Sequence, residues 1–249
     1  MIIYRKNRPK ILMYHSIANN PNDPYSVTTA MFKMQINYLL KNKYDIISLQ
    51  KLVSGLKKGN SMKNKIVITF DDGYKNFITN AFPILKEYKI PATVFLVFDL
   101  VGKKANWNND IEHLDIMSKE DVKYIKKNGI SLGGHTLKHT DLTTLNTQQL
   151  HNQMVKSKRK LKEFGEKYLT YSYPWGRYSK GVINAMKNEG FDCALIAKEK
   201  ILYLTDSLYQ LGRITMQKNM SINLFKKEIE GRNPVNFTLN KIKAHLKTK

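Results

Sequence analysis

Thr69-Phe70-Asp71-Asp72-Gly73 follows directly on the apolar run Lys65-Ile66-Val67-Ile68. Two adjacent carboxylates at the end of a buried strand repel and raise each other's pKa. A cation or a proton has to relieve that repulsion. Gly73 permits a sharp turn, leaving both acids at a strand's C-terminal mouth, where α/β enzymes keep their chemistry. Asp-Asp-Gly is also an ordinary turn, so these five residues alone leave both readings open. A second cluster, Gly133-Gly134-His135-Thr136-Leu137-Lys138-His139, follows another strand-like step, Ile130-Ser131-Leu132. Two imidazoles at i and i+4 face one way if the segment makes one helical turn, and imidazole is the commonest protein ligand for zinc and similar metals. An isolated pair at that spacing is more often accidental. Two strand ends that jointly supply a carboxylate pair and an imidazole pair are a stronger signal. One Asp and two His make a three-ligand set with a position open for water, as in catalytic rather than structural metal sites.

Alternating strand-like and helix-like segments must position these clusters, which argues an α/β fold with parallel strands. Residues 11–14 read as a strand ending at His15, and 66–70 as the strand that leads into the acids. Residues 92–97, short, β-rich and preceded by Pro91, are the clearest buried strand. Helical periods cover 31–41, 48–56 and 77–88, and Ser118 with Asp121 forms a capping-box start to a helix ending near Asn128-Gly129. Strands ending at Leu132 and Tyr173 bracket a Lys-rich amphipathic helix, 147–164, and a further unit runs from Ser179 to Ile196. Residues 209–212 read as a late strand ending at Arg213. The irregular stretch 99–117, with Trp107, is long enough to suggest a functional or partner-binding role. Seven or so strands would fit either an open doubly wound sheet or a barrel. No repeat or linker divides residues 1–233, which read as one catalytic domain; 234–249 reads as a basic tail, with a helix-compatible stretch at 239–246.

Among 249 residues, 42% are hydrophobic and 25% charged, ordinary values for a globular protein. No apolar run approaches the ~20 residues that span a bilayer. The N-terminal residues turn charged too early for a secretory signal, and the single cysteine, Cys193, sits in an apolar stretch. Both favour the cytoplasm, with the inner face of the membrane as a candidate location. The charge is less ordinary: 42 Lys and Arg against 20 Asp and Glu, net +22. Such a field attracts polyanions. Nucleic acid is disfavoured, because no recognition motif is present and aromatics do not interleave with the basic runs. An anionic membrane surface is the sharper expectation, beside the plain one of a Lys-rich solvated surface.

The motifs Thr69-Phe70-Asp71-Asp72-Gly73, His135-Thr136-Leu137-Lys138-His139 and Tyr171-Ser172-Tyr173-Pro174-Trp175-Gly176 resemble the first three of the polysaccharide deacetylases, the NodB-homology group or carbohydrate esterase family four. The resemblance runs from Ile11 to Ile214, and Met13-Tyr14-His15-Ser16 with Gly212-Arg213-Ile214 is similar to the poly-N-acetylglucosamine deacetylase branch. It implies an irregular (β/α) barrel with its site at the strand C-termini. It also implies that Asp72, His135 and His139 hold a divalent metal, zinc first, with cobalt, nickel or manganese as substitutes. Asp71 is then the base, and the main-chain N–H of Trp175 a second oxyanion donor. Three departures stand out. Ser172 occupies the place of the third-motif arginine that orients the base, and Arg213 is expected to replace it, with Arg177 second. The fourth motif, which carries an aspartate, is not evident. The late Leu-x-His that supplies the general acid is missing; His15 is the best remaining candidate to protonate the amine, beside the plain reading of a core or supporting histidine. The activity expected is removal of an N-acetyl, or N-formyl, group from an amino sugar in a glycan or in a lipid- or nucleotide-linked precursor. The alternative is an impaired relative that binds glycan or membrane without turnover.

Overall fold

The structure, a computed structural model, describes residues 8–107, 114–198 and 207–231. The expected tail, 234–249, lies outside them. Ten strands are described: β1 (Lys10–Tyr14), β2 (Ser16–Ile17), β3 (Ser26–Val27), β4 (Asp45–Ile46), β5 (Lys65–Phe70), β6 (Thr93–Leu96), β7 (Ser131–Gly134), β8 (Thr170–Ser172), β9 (Cys193–Leu195) and β10 (Ile214–Thr215). Seven of them form one parallel path in the order β10-β1-β5-β6-β7-β8-β9, with β4 added beside β5. The segment before β10 bridges back to β9 through Leu195 and Leu211, curling the sheet into an irregular barrel. The seven α-helices among the described residues are α1 (Thr29–Lys41), α2 (Leu49–Lys57), α3 (Phe82–Glu87), α4 (Lys119–Lys127), α5 (Thr147–Glu163), α6 (Lys180–Asn188) and α7 (Ile222–Glu230). Parallel strands covered on both faces read as unbroken apolar runs, and in β5 every residue after Lys65 is buried.

Local chemistry sets the element ends. Ser48, Ser118, Asn146, Ser179 and Ser221 each cap a helix by accepting a main-chain N–H, and Ser118 and Asn146 complete capping boxes with Asp121 and Gln149. The helix expected over 77–88 is not one α-helix. Residues Phe77–Ala81 form a π-turn before α3 starts. Pro83 explains it, because it donates no N–H and its ring crowds the preceding turn. The late strand also differs: residues 207–210 turn, Leu211 makes only a bridge, and Arg213 precedes β10 instead of ending a strand. Among the described residues no helix is long and apolar enough to cross a membrane.

Register aligns the mouths of the strands. Tyr14 lies beside Phe70, so His15 and Asp71 leave the sheet together, and the Asp71 N–H donates to the Tyr14 carbonyl at 2.9 Å. Leu96 lies beside Gly134, so His135 follows at the same edge, its N–H on the Leu96 carbonyl at 2.9 Å. The glycines of β7 are required by space. A Cβ on Gly133 would lie 2.3 Å from the Phe95 ring, and one on Gly134 would lie 2.7 Å from the Tyr171 ring.

Candidate active site at the strand C-termini

Asp72, His135 and His139 converge, one potential ligand atom from each lying within 4.8 Å of the others. All three are buried. Both histidine Nε2 atoms sit 3.4 Å from Asp72 Oδ1. That is longer than the ~2.7–2.9 Å of a charge-assisted hydrogen bond, and Oδ1 has no hydrogen-bond partner among the described residues. A buried carboxylate oxygen without a donor, faced by two imidazole nitrogens, suits a cation. His135 Nδ1 lies 2.8 Å from the Ser172 carbonyl, and donating to it leaves Nε2 free as a ligand. The residues present therefore fit a divalent metal.

The histidine segment is not the helical turn its spacing suggested. Thr136 and His139 both have positive φ, 68° and 57°, and Thr136 Oγ1 accepts the Thr140 N–H at 2.9 Å to hold the turn. Asp72 (φ 71°) and Trp175 (φ 53°) share this left-handed conformation, so four of the seven described non-glycine residues with positive φ belong to the site. Each costs about 1 kcal/mol or more, and such strain gathers where surrounding packing over-determines a functional geometry.

Asp71 points into a different environment. Arg213, 1% exposed, forks onto it, Nη1 to Oδ1 and Nη2 to Oδ2, both at 2.7 Å. Nη2 also donates to Ser172 Oγ at 2.7 Å, Nη1 to Thr69 Oγ1 at 3.3 Å, and Nε to the Ile196 carbonyl at 3.2 Å. All five guanidinium donors are thus engaged. Ser172 in turn donates to Asp71 Oδ2 at 2.9 Å. Burial alone would raise the Asp71 pKa, but the Arg213 and His135 charges and the Arg213 hydrogen bonds hold it at about 2. Burial likewise opposes ionisation of Asp72, yet His135 and His139 keep it well below the usual carboxylate range. Burial lowers His139, favouring the neutral ligand form. His135 would also fall on burial, but the Asp71 charge and its contact with Asp72 raise it. Its proton answers the same pair of carboxylates that would draw a metal.

The remaining candidates separate. Arg177 is remote from Asp71 in function, since it pairs with Asp141 at 2.8 Å and lies over the Trp175 ring. Trp175 is 49% exposed on the rim, its ring edge-on to His139 with centroids 4.4 Å apart. His15 is half-buried against Tyr25, centroids 4.8 Å apart, with Nδ1 unpartnered among the described residues. Two contributors escaped the reading of the sequence. Ser172, noted there only as a missing arginine, bridges Asp71 and Arg213. Trp107 lies flat on His139, centroids 4.3 Å and planes 15° apart; its only signal was a tryptophan in an overlong loop.

Residues 58–194, more than half of the 249, match the family model described as polysaccharide deacetylase. The chain belongs to that family. A poly-β-1,6-N-acetyl-D-glucosamine N-deacetylase of Staphylococcus aureus is 29% identical over 248 residues, covering 90% of this chain and 84% of that protein. The structure of the Streptococcus pyogenes deacetylase PplD in complex with acetate superposes with a TM-score of 0.77 at 24% identity, covering 91% of this chain and 99% of that one. IcaB from Ammonifex degensii gives 0.75 at 22% identity, covering 90% and 96%. At these identities the two structures show the shared barrel fold. The guanidinium that meets Asp71 comes from the segment ahead of β10, and Ser172, from β8, bridges it to that carboxylate.

Proposed function

We propose that the chain hydrolyses the N-acetyl amide of an amino sugar in a glycan, with Asp72, His135 and His139 holding a divalent cation, zinc first. The observation that carries this reading is the pairing of two unlike carboxylates. Asp72 faces two imidazoles with an oxygen that has no donor among the described residues, while adjacent Asp71 is clamped by Arg213 and Ser172. One carboxylate is built to ligate and the other to hold a fixed direction. When bound, the cation polarises the acyl carbonyl and lowers the pKa of water beside it.

Asp71 takes the proton from the attacking water as the new C–O bond forms. Arg213 fixes the carboxylate plane so that the accepting oxygen does not rotate away. The Trp175 main-chain N–H donates to the developing oxyanion. His15 delivers a proton to the nitrogen as the C–N bond breaks, yielding acetate and a free amine. The Staphylococcus relative is named for poly-β-1,6-N-acetyl-D-glucosamine, which makes β-1,6-linked N-acetylglucosamine the first substrate to offer. A net charge of +22 supports lipid- or nucleotide-linked precursors as the second. Full-length protein incubated with a β-1,6-linked oligomer should release acetate and free amine in equal amounts. A chelator should stop release, and zinc or cobalt should restore it. Metal-loaded protein that released neither acetate nor formate from any of these donors would contradict the activity and favour a binding relative.

A further inference from the structure

The two histidine ligands are oriented by different means. His135 is held by a hydrogen bond from its far nitrogen to the Ser172 carbonyl. His139 has no such bond, its buried Nδ1 lacking any partner among the described residues. A metal-ligating histidine normally relies on that second-nitrogen contact to fix its ring. Here two indoles surround the ring, Trp107 flat at 4.3 Å and Trp175 edge-on at 4.4 Å.

We infer that Trp107 is a positioning residue for the metal site, its flat face fixing the His139 ring, whose Nδ1 is held by no hydrogen bond among the described residues. The loop that carries it is built as a brace. Its first residues are bonded to the histidine turn, Phe98 N–H to the Thr136 carbonyl at 3.2 Å and Asp99 N–H to the Leu137 carbonyl at 2.9 Å. Its last residues are bonded to the turn after the acids, Met117 N–H to the Gly73 carbonyl at 3.0 Å and Lys75 N–H to the Asp115 carbonyl at 2.8 Å. Between these anchors the two arms pair, Ala105 with Leu114 and Ile116 with Lys103, through bonds of 2.9 and 2.8 Å. Tyr74, Val97, Leu100, Ala105 and Ile116 form a small separate core on which Trp107 rests. The loop therefore ties the strand end that supplies Asp72 to the one that supplies both histidines, and Trp107 is where it touches a ligand.

This inference rests on the metal-site reading, and its test reads the metal rather than turnover. Co²⁺ affinity of the full-length chain is measured by competition with a chelator, for the unmodified protein and for Trp107→Leu and Trp107→Phe. Leu fills the small core but has no flat face, whereas Phe keeps one. Trp107→Leu should weaken Co²⁺ binding about 10–100-fold, the usual consequence of losing a group that orients a ligand. Trp107→Phe should stay close to the unmodified protein, with melting temperatures of the two variants alike. A second readout leaves Trp107 itself unaltered. In Trp175→Phe the only tryptophan left is Trp107, and its fluorescence should be quenched in step with Co²⁺ occupancy. Equal affinities for the Leu and Phe variants, or unquenched Trp107 fluorescence at full occupancy, would overturn the inference alone. An unmodified protein that bound no metal would remove the metal reading itself and this inference with it.

Discussion

The Arg213–Asp71 pair gives the most quantitative expectation. Arg213→Met removes two bonds to a carboxylate, which at about 1.5–3 kcal/mol each amount to roughly 3–6 kcal/mol. A second route agrees, since breaking one side of a buried ion pair typically costs about 3–5 kcal/mol through the charge left behind. In a chain of this size about 2–4 °C is lost per kcal/mol, so the melting temperature should fall by roughly 6–24 °C. Asp71→Asn should also destabilise, because the guanidinium, 1% exposed, then lacks its counter-charge. The double variant removes both charges and should be clearly more stable than the sum of the single losses predicts. Urea unfolding of the four proteins closes the cycle. Additivity within about 0.5 kcal/mol would refute the coupling, and with it the view that Arg213 does the work of an arginine at position 172.

Three further expectations follow from the same geometry. Asp71→Asn should retain metal and lose turnover, whereas Asp72→Asn should weaken metal binding itself; metal content and acetate release, measured on both, separate the two carboxylates. Gly134→Ala should cost about 1–3 kcal/mol by overpacking, because its Cβ would enter the Tyr171 ring, and the displaced His135 should lower metal affinity in the same preparation; an unchanged melting temperature and affinity would show that β7 has room to shift. Deleting residues 235–249 should weaken binding to anionic liposomes in a salt-sensitive way, with an upper limit of roughly 4 kcal/mol from Lys241, Lys243, Lys247 and Lys249 at ~1 kcal/mol each; unchanged liposome binding would remove the membrane expectation.

The parts of the site legible in the sequence are those written locally. Asp71 and Asp72 follow an apolar run, and His135 and His139 follow another, so strand ends and chemistry were readable together. The conformation of the histidine turn was not readable, because Thr136 and His139 adopt positive φ without being glycines. Helix starts at Ser118 and Asn146 carry their capping residues in sequence, but the π-turn caused by Pro83 shows that a helical period does not fix hydrogen-bond spacing. The Arg213 contact spans 142 positions; only the absence of an arginine at Ser172 hinted at it. Neither the bridging role of Ser172 nor the stacking of Trp107 on His139 has any local signature, since both depend on how loops meet across the barrel mouth.

The central claim is that Asp72, His135 and His139 hold a catalytic metal. Elemental analysis of purified full-length protein, alongside His135→Ala and His139→Ala, tests it most directly. About one divalent ion per chain should be found in the unmodified protein and far less in either variant, with melting temperatures of the metal-stripped proteins alike and acetate release lost in both variants. Stoichiometric metal in a folded histidine variant, or full acetate release from unmodified protein freed of metal, would contradict it.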